Sequence, residues 1–256
     1  MRYQRPHHSQ AIPLPAYSYA FQPIIDVVQN TVYSYEALLR GAHNEPAATV
    51  FAHVPAVALH QFDQDSRVQA IQVAAHLGLD CHLNVNIFPQ SLLTSDRAIR
   101  STLDALAACH LPIERLILEV IEGEVITNAA QFAQVLDAYR GLGLTVAIDD
   151  FGAGYAGLNL LADFQPDLIK LDMHLVRGID SRGPRQAIVR AITQVCDDLA
   201  IEIIAEGVET LAEYAWLREE GIQLFQGYLL AKPAFESLVS GIVPTISTLI
   251  VAPKAA

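Results

Sequence analysis

The chain has 256 residues, 52% of them hydrophobic and 17% charged, with a formal net charge of −12. That composition supports a sizeable core and excludes a disordered chain, while the lack of any basic stripe excludes general DNA or RNA binding. No apolar run is long enough to span a membrane, and the three scattered cysteines, Cys81, Cys109 and Cys196, suit the reduced core of a cytoplasmic protein.

Residues 1–16 form an N-terminal extension too short for a sensory domain. Strand-like runs at 20–28 and 31–39 are separated only by Gln29-Asn30, which permits a hairpin but no helical crossover, so these strands are antiparallel. The pattern then becomes helix followed by strand. Helical character from 47 to 77, broken near Pro55, leads to a strand at 81–88. A helix at 95–109 leads to a strand at 115–121. The amphipathic stretch 128–142, with Phe132, Val135, Leu136 and Tyr139 on one face, feeds a strand from Leu144 to the pair Asp149-Asp150. Further strands at 168–171, 201–205 and 224–230 alternate with helices at 184–199 and 211–220. Eight strands of this kind close most economically into one α/β domain, a modified (β/α)₈ TIM barrel with an antiparallel first strand, over 17–240. Residues 241–256 form a C-terminal tail.

Catalytic groups of such a barrel gather where the parallel strands end. The second strand carries Glu36, Leu38 and Arg40 on one face, and the third carries Asn84 and Asn86. In the fourth, parity separates Glu119, pointing inward, from Glu122. Asp149 and Asp150 would point to opposite sides of a continuing strand, so they can share a cluster only if the chain turns there, as Gly152 and Gly154 permit. Lys170 and Asp172 share a face, the seventh strand runs into Glu206 and Glu209, and the eighth contains Gln226-Gly227-Tyr228. Burying so many carboxylates without cations is costly. Hard oxygen ligands with an amide favour Mg²⁺ or Mn²⁺, and the lack of clustered cysteines or a paired-histidine motif argues against zinc.

The chain resembles the EAL family of cyclic di-GMP phosphodiesterases. The resemblance runs in order from Gln22-Pro23-Ile24 through Glu36-Ala-Leu-Leu-Arg40, Asn86, Glu119-Val-Ile-Glu122, Asp149-Asp150-Phe151-Gly152, Lys170-Leu-Asp172 and Glu206-Gly-Val-Glu209-Thr210 to Gln226-Gly227-Tyr228 and Pro233. It implies hydrolysis of cyclic di-GMP to linear pGpG by two divalent ions. Glu36, Asn86, Glu119 and Asp149 would hold the first, and Asp149 would bridge to a second held by Asp150 and Glu206. Lys170 would orient or deprotonate the attacking water, with Asp150 and Glu206 also counted among the catalytic groups. Gln22, Leu38, Arg40 and Gln226 would position substrate. Asp172 would fix Lys170, Glu122 would anchor the loop after Asp150, and Glu209 would belong with them to the residues that anchor loops and support the site. A homodimer is implied as well.

Three departures stand out. Phe88 replaces a usual hydroxyl residue after Asn86, Ala153 a usual threonine, and Ala156-Gly157 a usual pair of serines. No ligand is lost, but the loop after Asp150 loses hydroxyl groups that would order it. The alternative function is a non-catalytic module of the same fold that binds cyclic di-GMP or a regulatory protein partner.

Overall fold

A computed structural model describes residues 14–89, 97–121, 129–153, 161–162 and 164–239. Strands β1 (Tyr17–Asp26) and β2 (Thr31–Gly41) form the expected antiparallel hairpin, with Asn30 in the left-handed region at φ 57° closing its turn. From β2 the sheet continues in parallel through β3 (His82–Ile87), β4 (Leu116–Ile121), β5 (Thr145–Phe151), β6 (Leu168–Leu171), β7 (Glu202–Ala205) and β8 (Leu224–Phe225). Strand β8 pairs antiparallel with Ile25 and Asp26 of β1, which closes the barrel. Only β1 runs against its neighbours within it.

The described helices are α1 (Ala47–Phe51), α2 (Leu59–His76), α3 (Arg97–Ala108), α4 (Ala129–Arg140), α5 (Met173–Val176), α6 (Gly183–Leu199) and α7 (Leu211–Glu219). The break expected near Pro55 separates α1 from α2. Helix α6 has proline in its first turn, where no N–H is needed, and ends at Ala200 in the left-handed conformation.

The eighth strand is shorter than the expected 224–230. Past Phe225 the chain crosses Val208, whose N–H donates to Gln226 O at 3.1 Å and whose carbonyl accepts from Leu229 N–H at 3.1 Å. A Cβ at Gly227 would lie 2.1 Å from that carbonyl oxygen, so only glycine allows this crossing. The chain then returns as β9 (Ala234–Phe235), a strand the sequence did not announce, which pairs with Ala20 and Phe21 of β1 beyond the point where β8 leaves off. Gly227→Ala is therefore expected to destabilise the fold by about 3 kcal/mol, through backbone that cannot retreat. Urea denaturation of the variant measures it, and an unchanged midpoint would contradict the packing described.

Apolar residues separate into two bodies. The larger lies between the strands and the outer helices. The smaller, Ile24, Ile117, Ala147, Leu168, Ile204 and Leu224, plugs the barrel interior. Side chains alternate along a strand, so the next inward position towards the open end lies two residues away on each of these strands. On β1, which runs the other way, that residue is Gln22. On the others the positions are Glu119, Asp149, Lys170, Glu206 and Gln226. A polar layer thus sits directly on an apolar plug.

One unforeseen carboxylate holds the rim of that layer. Glu213, in the first turn of α7, accepts N–H bonds from Gly178 at 2.8 Å and from Glu209 and Thr210 at 3.0 Å each, and Thr210 caps the helix in return. Burial alone would raise its pKa, but these donors outweigh burial and hold it below the usual glutamate value of 4.5. Because the folded value is depressed, its stabilisation is present above pH 4.5 and is lost as pH falls through the lower folded value. Glu213→Gln is expected to lose about 1–3 kcal/mol at pH 7, with a smaller gap from wild type near pH 3. Urea unfolding at both pH values tests this, and a gap that widened in acid would contradict it.

Candidate active site

Lys170 occupies the centre of the polar layer and is 1% exposed. Its Nζ lies 2.6 Å from Glu206 Oε1, 2.7 Å from Glu119 Oε1, 3.0 Å from Asp149 Oδ1 and 3.4 Å from Glu36 Oε2. The β6–β7 register places Lys170 beside Ile204, and Glu206 N–H donates to Leu171 O just above at 3.2 Å. Glu119 is held opposite Asn86 by the β3–β4 register.

Asp149 and Asp150 do approach one cluster, and the turn that permits it is at Asp150 itself. That residue has φ 55°, and the β5–β6 pairing shifts register between Ile148 and Phe151. An aspartate tolerates the left-handed conformation better than a bulky or branched residue would. Gly152, also at positive φ, extends the turn. Carboxylate oxygens of Glu36, Glu119 and Asp149 lie within 4.8 Å of one another, as do those of Asp149, Asp150 and Glu206. Asp149 belongs to both groups.

The charge balance is lopsided, with four carboxylates contacting one ammonium. Burial pushes Glu119 up to about 8 despite the neighbouring Lys170, and it raises Glu206 well above the carboxylate range. Asp150 is pushed up to about 6, by burial first and then by Asp149 and Asp172. Burial would lower Lys170, but the surrounding carboxylates hold it well above its usual value. The cluster therefore calls for more positive charge than the chain supplies. Glu119 Oε2 is buried without a hydrogen-bond partner, and Asp149 Oδ1, although 3.0 Å from Lys170 Nζ, lacks hydrogen-bond geometry. Free, hard carboxylate oxygens of this kind fit a divalent cation.

Two cavities flank the cluster. One, of about 230 Å³, is lined by Gln22, Glu36, Asp150, Asp172, Glu206, Gln226, Tyr228 and neighbours. Gln226 Nε2 donates to Glu36 Oε2 at 2.7 Å, while Gln22 Nε2 donates to Ala231 O at 3.1 Å and so helps pin the segment after β8. The other, of about 210 Å³, is more apolar and includes Leu38, Arg40, Phe51, Arg67, Asn86 and Phe88. Leu38 and Arg40 thus face a different recess from Glu36. Arg40 donates to its neighbour's carbonyl, Leu39 O, at 2.8 Å. Phe88, the replacement for a hydroxyl residue, pairs with Phe51 at 6.1 Å between ring centres. Its N–H bonds to Asp63 Oδ1 at 3.3 Å, and Asp63 is in turn paired with buried Arg67.

One expected supporting role changes. Asp172 caps α5 by accepting from His174 N–H at 2.8 Å, and it is absent from the carboxylates that contact Lys170. A one-turn helix directly after β6 needs that cap, which redirects the side chain. Glu209 forms an exposed ion pair with Arg177 at 2.5 Å at the cleft's edge. Glu122 and the loop positions Ala156-Gly157 lie outside the described residues, whereas Ala153 is exposed and closes a turn onto Asp150 O.

Residues 8–233 match the model of the EAL domain family. The chain belongs to the EAL family. A standalone EAL protein from Vibrio cholerae O395, solved in a c-di-GMP-bound form, is similar with a TM-score of 0.85 and 43% identity, over 88% of this chain and 95% of that one. Klebsiella pneumoniae BlrP1 in a manganese/cyclic di-GMP complex is similar with a TM-score of 0.83 and 42% identity, over 89% of this EAL chain and 58% of BlrP1. Among curated relatives, the blue light- and temperature-regulated antirepressor BluF of Escherichia coli K12 is 36% identical over 87% of the chain. The cyclic di-GMP phosphodiesterase PdeR of the same organism is 39% identical over 61%. The EAL chain spans 55% of BluF and 23% of PdeR.

Proposed function

We propose that this EAL chain hydrolyses cyclic di-GMP to pGpG with two divalent cations. The observation that carries the reading is the pair of carboxylate triads sharing Asp149 beside Lys170, with buried oxygens left free for cations. Glu36, Asn86, Glu119 and Asp149 would hold one ion, and Asp149, Asp150 and Glu206 the other. Bound Mg²⁺ or Mn²⁺ supplies Lewis acidity towards the phosphodiester and acidifies the attacking water.

The chain's own groups do the rest. Lys170 would bring its ammonium near the phosphate, where it offsets charge and orients the nucleophile. Glu206, on the cleft wall and 2.6 Å from Lys170 Nζ, is the candidate for accepting a proton. Gln226 holds Glu36 and lines the cleft, where it would help position substrate or water. Gln22, Leu38 and Arg40 contribute to the two recesses that would receive the rest of the dinucleotide.

Similarity to BluF, named as an antirepressor, favours a second reading in which the same fold is a non-catalytic regulatory module, acting as a cyclic di-GMP sensor or as a surface for a protein partner. Chromatography of cyclic di-GMP after incubation with protein and Mn²⁺ or Mg²⁺ separates the two. Accumulating pGpG supports the enzyme. Intact dinucleotide that is tightly bound sinks the enzyme and supports the sensor.

A further inference from the structure

We infer that Asn84 is a positioning residue that sets the orientation of Glu119 for a divalent cation. The inference rests on the metal-dependent reading above. Asn84 is fully buried on β3, opposite Glu36 in the β2–β3 register and one inward position below Asn86. Its Nδ2 donates to Glu119 Oε1 at 2.8 Å, and Lys170 Nζ lies 2.7 Å from the same oxygen. Two donors therefore crowd onto one oxygen of a fully buried carboxylate, while its twin, Oε2, has no hydrogen-bond partner.

Leaving a buried carboxylate oxygen unmatched is unfavourable, and a carboxylate free to rotate would divide its donors between both oxygens. Here the arrangement fixes the plane of the group and leaves one oxygen available, as outer-sphere partners do for metal ligands. The residue type suits the task. An amide donates without adding charge, whereas a second lysine would compete with the cation and another acid would repel Glu119. The opposite amide orientation would set Oδ1 against the carboxylate, so Glu119 itself selects the one seen. Asn84 Oδ1 is left without a partner as a result.

The test is Mn²⁺ titration calorimetry without nucleotide on the wild type, Asn84→Ala and Asn84→Leu, together with melting temperatures in EDTA and a kcat and KM comparison at saturating Mn²⁺. Both variants are expected to bind Mn²⁺ roughly 10–100-fold more weakly, with lowered kcat, nearly constant KM and little change in melting temperature. The leucine variant keeps side-chain volume, so the shared loss isolates the missing donor from an empty space. Wild-type Mn²⁺ affinity in both variants would overturn the inference. So would variants that fail to fold in EDTA and are not recovered by Mn²⁺, since Asn84 would then be a core residue only. A wild type that takes up no Mn²⁺ would overturn the metal-dependent reading itself.

Discussion

Lys170→Met is expected to lower stability in EDTA by roughly 3–5 kcal/mol and to reduce turnover by roughly 10²–10⁴-fold. The ammonium is 1% exposed and lies within 3.4 Å of four carboxylates, so its removal leaves buried negative charge with no counterion from the chain. A methionine fills the space but answers none of that charge. Added Mn²⁺ should restore much of the lost stability, because a cation can neutralise the same oxygens. It should not restore turnover, because the place proposed for the lysine beside the phosphate would stay empty of charge. Urea denaturation with EDTA and with Mn²⁺, alongside pGpG formation, separates the two effects. Unchanged stability in EDTA would show that Lys170 does not hold the carboxylates together.

Glu36→Ala is expected to lower turnover by two or more orders of magnitude and to weaken Mn²⁺ binding. Glu36 is buried among the first triad and fixed by the 2.7 Å bond from Gln226. On the proposed assignment, truncation would remove a ligand and also free Gln226, so both cation and substrate would lose a fixed partner. Steady-state rates at saturating Mn²⁺ with a parallel calorimetric titration measure both. A variant with near-normal turnover would show that the ligand assignment is wrong.

Much of this site could be read from parity. On β1 and β4–β8 a polar residue stands two positions from an apolar one, and that step of two carries the chain from the barrel plug to the acidic layer. The antiparallel start was legible because Gln29-Asn30 leaves no room for a crossover. What alternation could not supply was anything that depends on a break in it. Asp150 joins the cluster through its own left-handed backbone and a register shift, neither of which is a side-chain pattern. Gly227 signals a turn in the sequence, but that the turn is a crossing over Val208 depends on a strand that is distant along the chain.

The same limit applies to partners. Asn84 was visible as an amide sharing a face with Asn86, but its bond to Glu119 joins residues 35 apart. Lys170 and Asp172 share a face, yet the one-turn helix that starts at Met173 takes Asp172 as its cap. Leu38 and Arg40 follow Glu36 with the right parity and still open onto a separate recess, because strand β2 continues past the acidic layer. Glu213 had a detectable signal in Thr210-x-x-Glu213, the capping-box spacing, although its bond to Gly178 comes only with the fold.

The most direct test follows pGpG formation from cyclic di-GMP by chelator-stripped wild-type protein as Mn²⁺ is added back. The expected result is no turnover after stripping, recovery as Mn²⁺ rises and pGpG as the product. Turnover that persists in excess chelator, or none at any Mn²⁺ concentration, would contradict the assignment of the strand-end carboxylates as a catalytic metal centre.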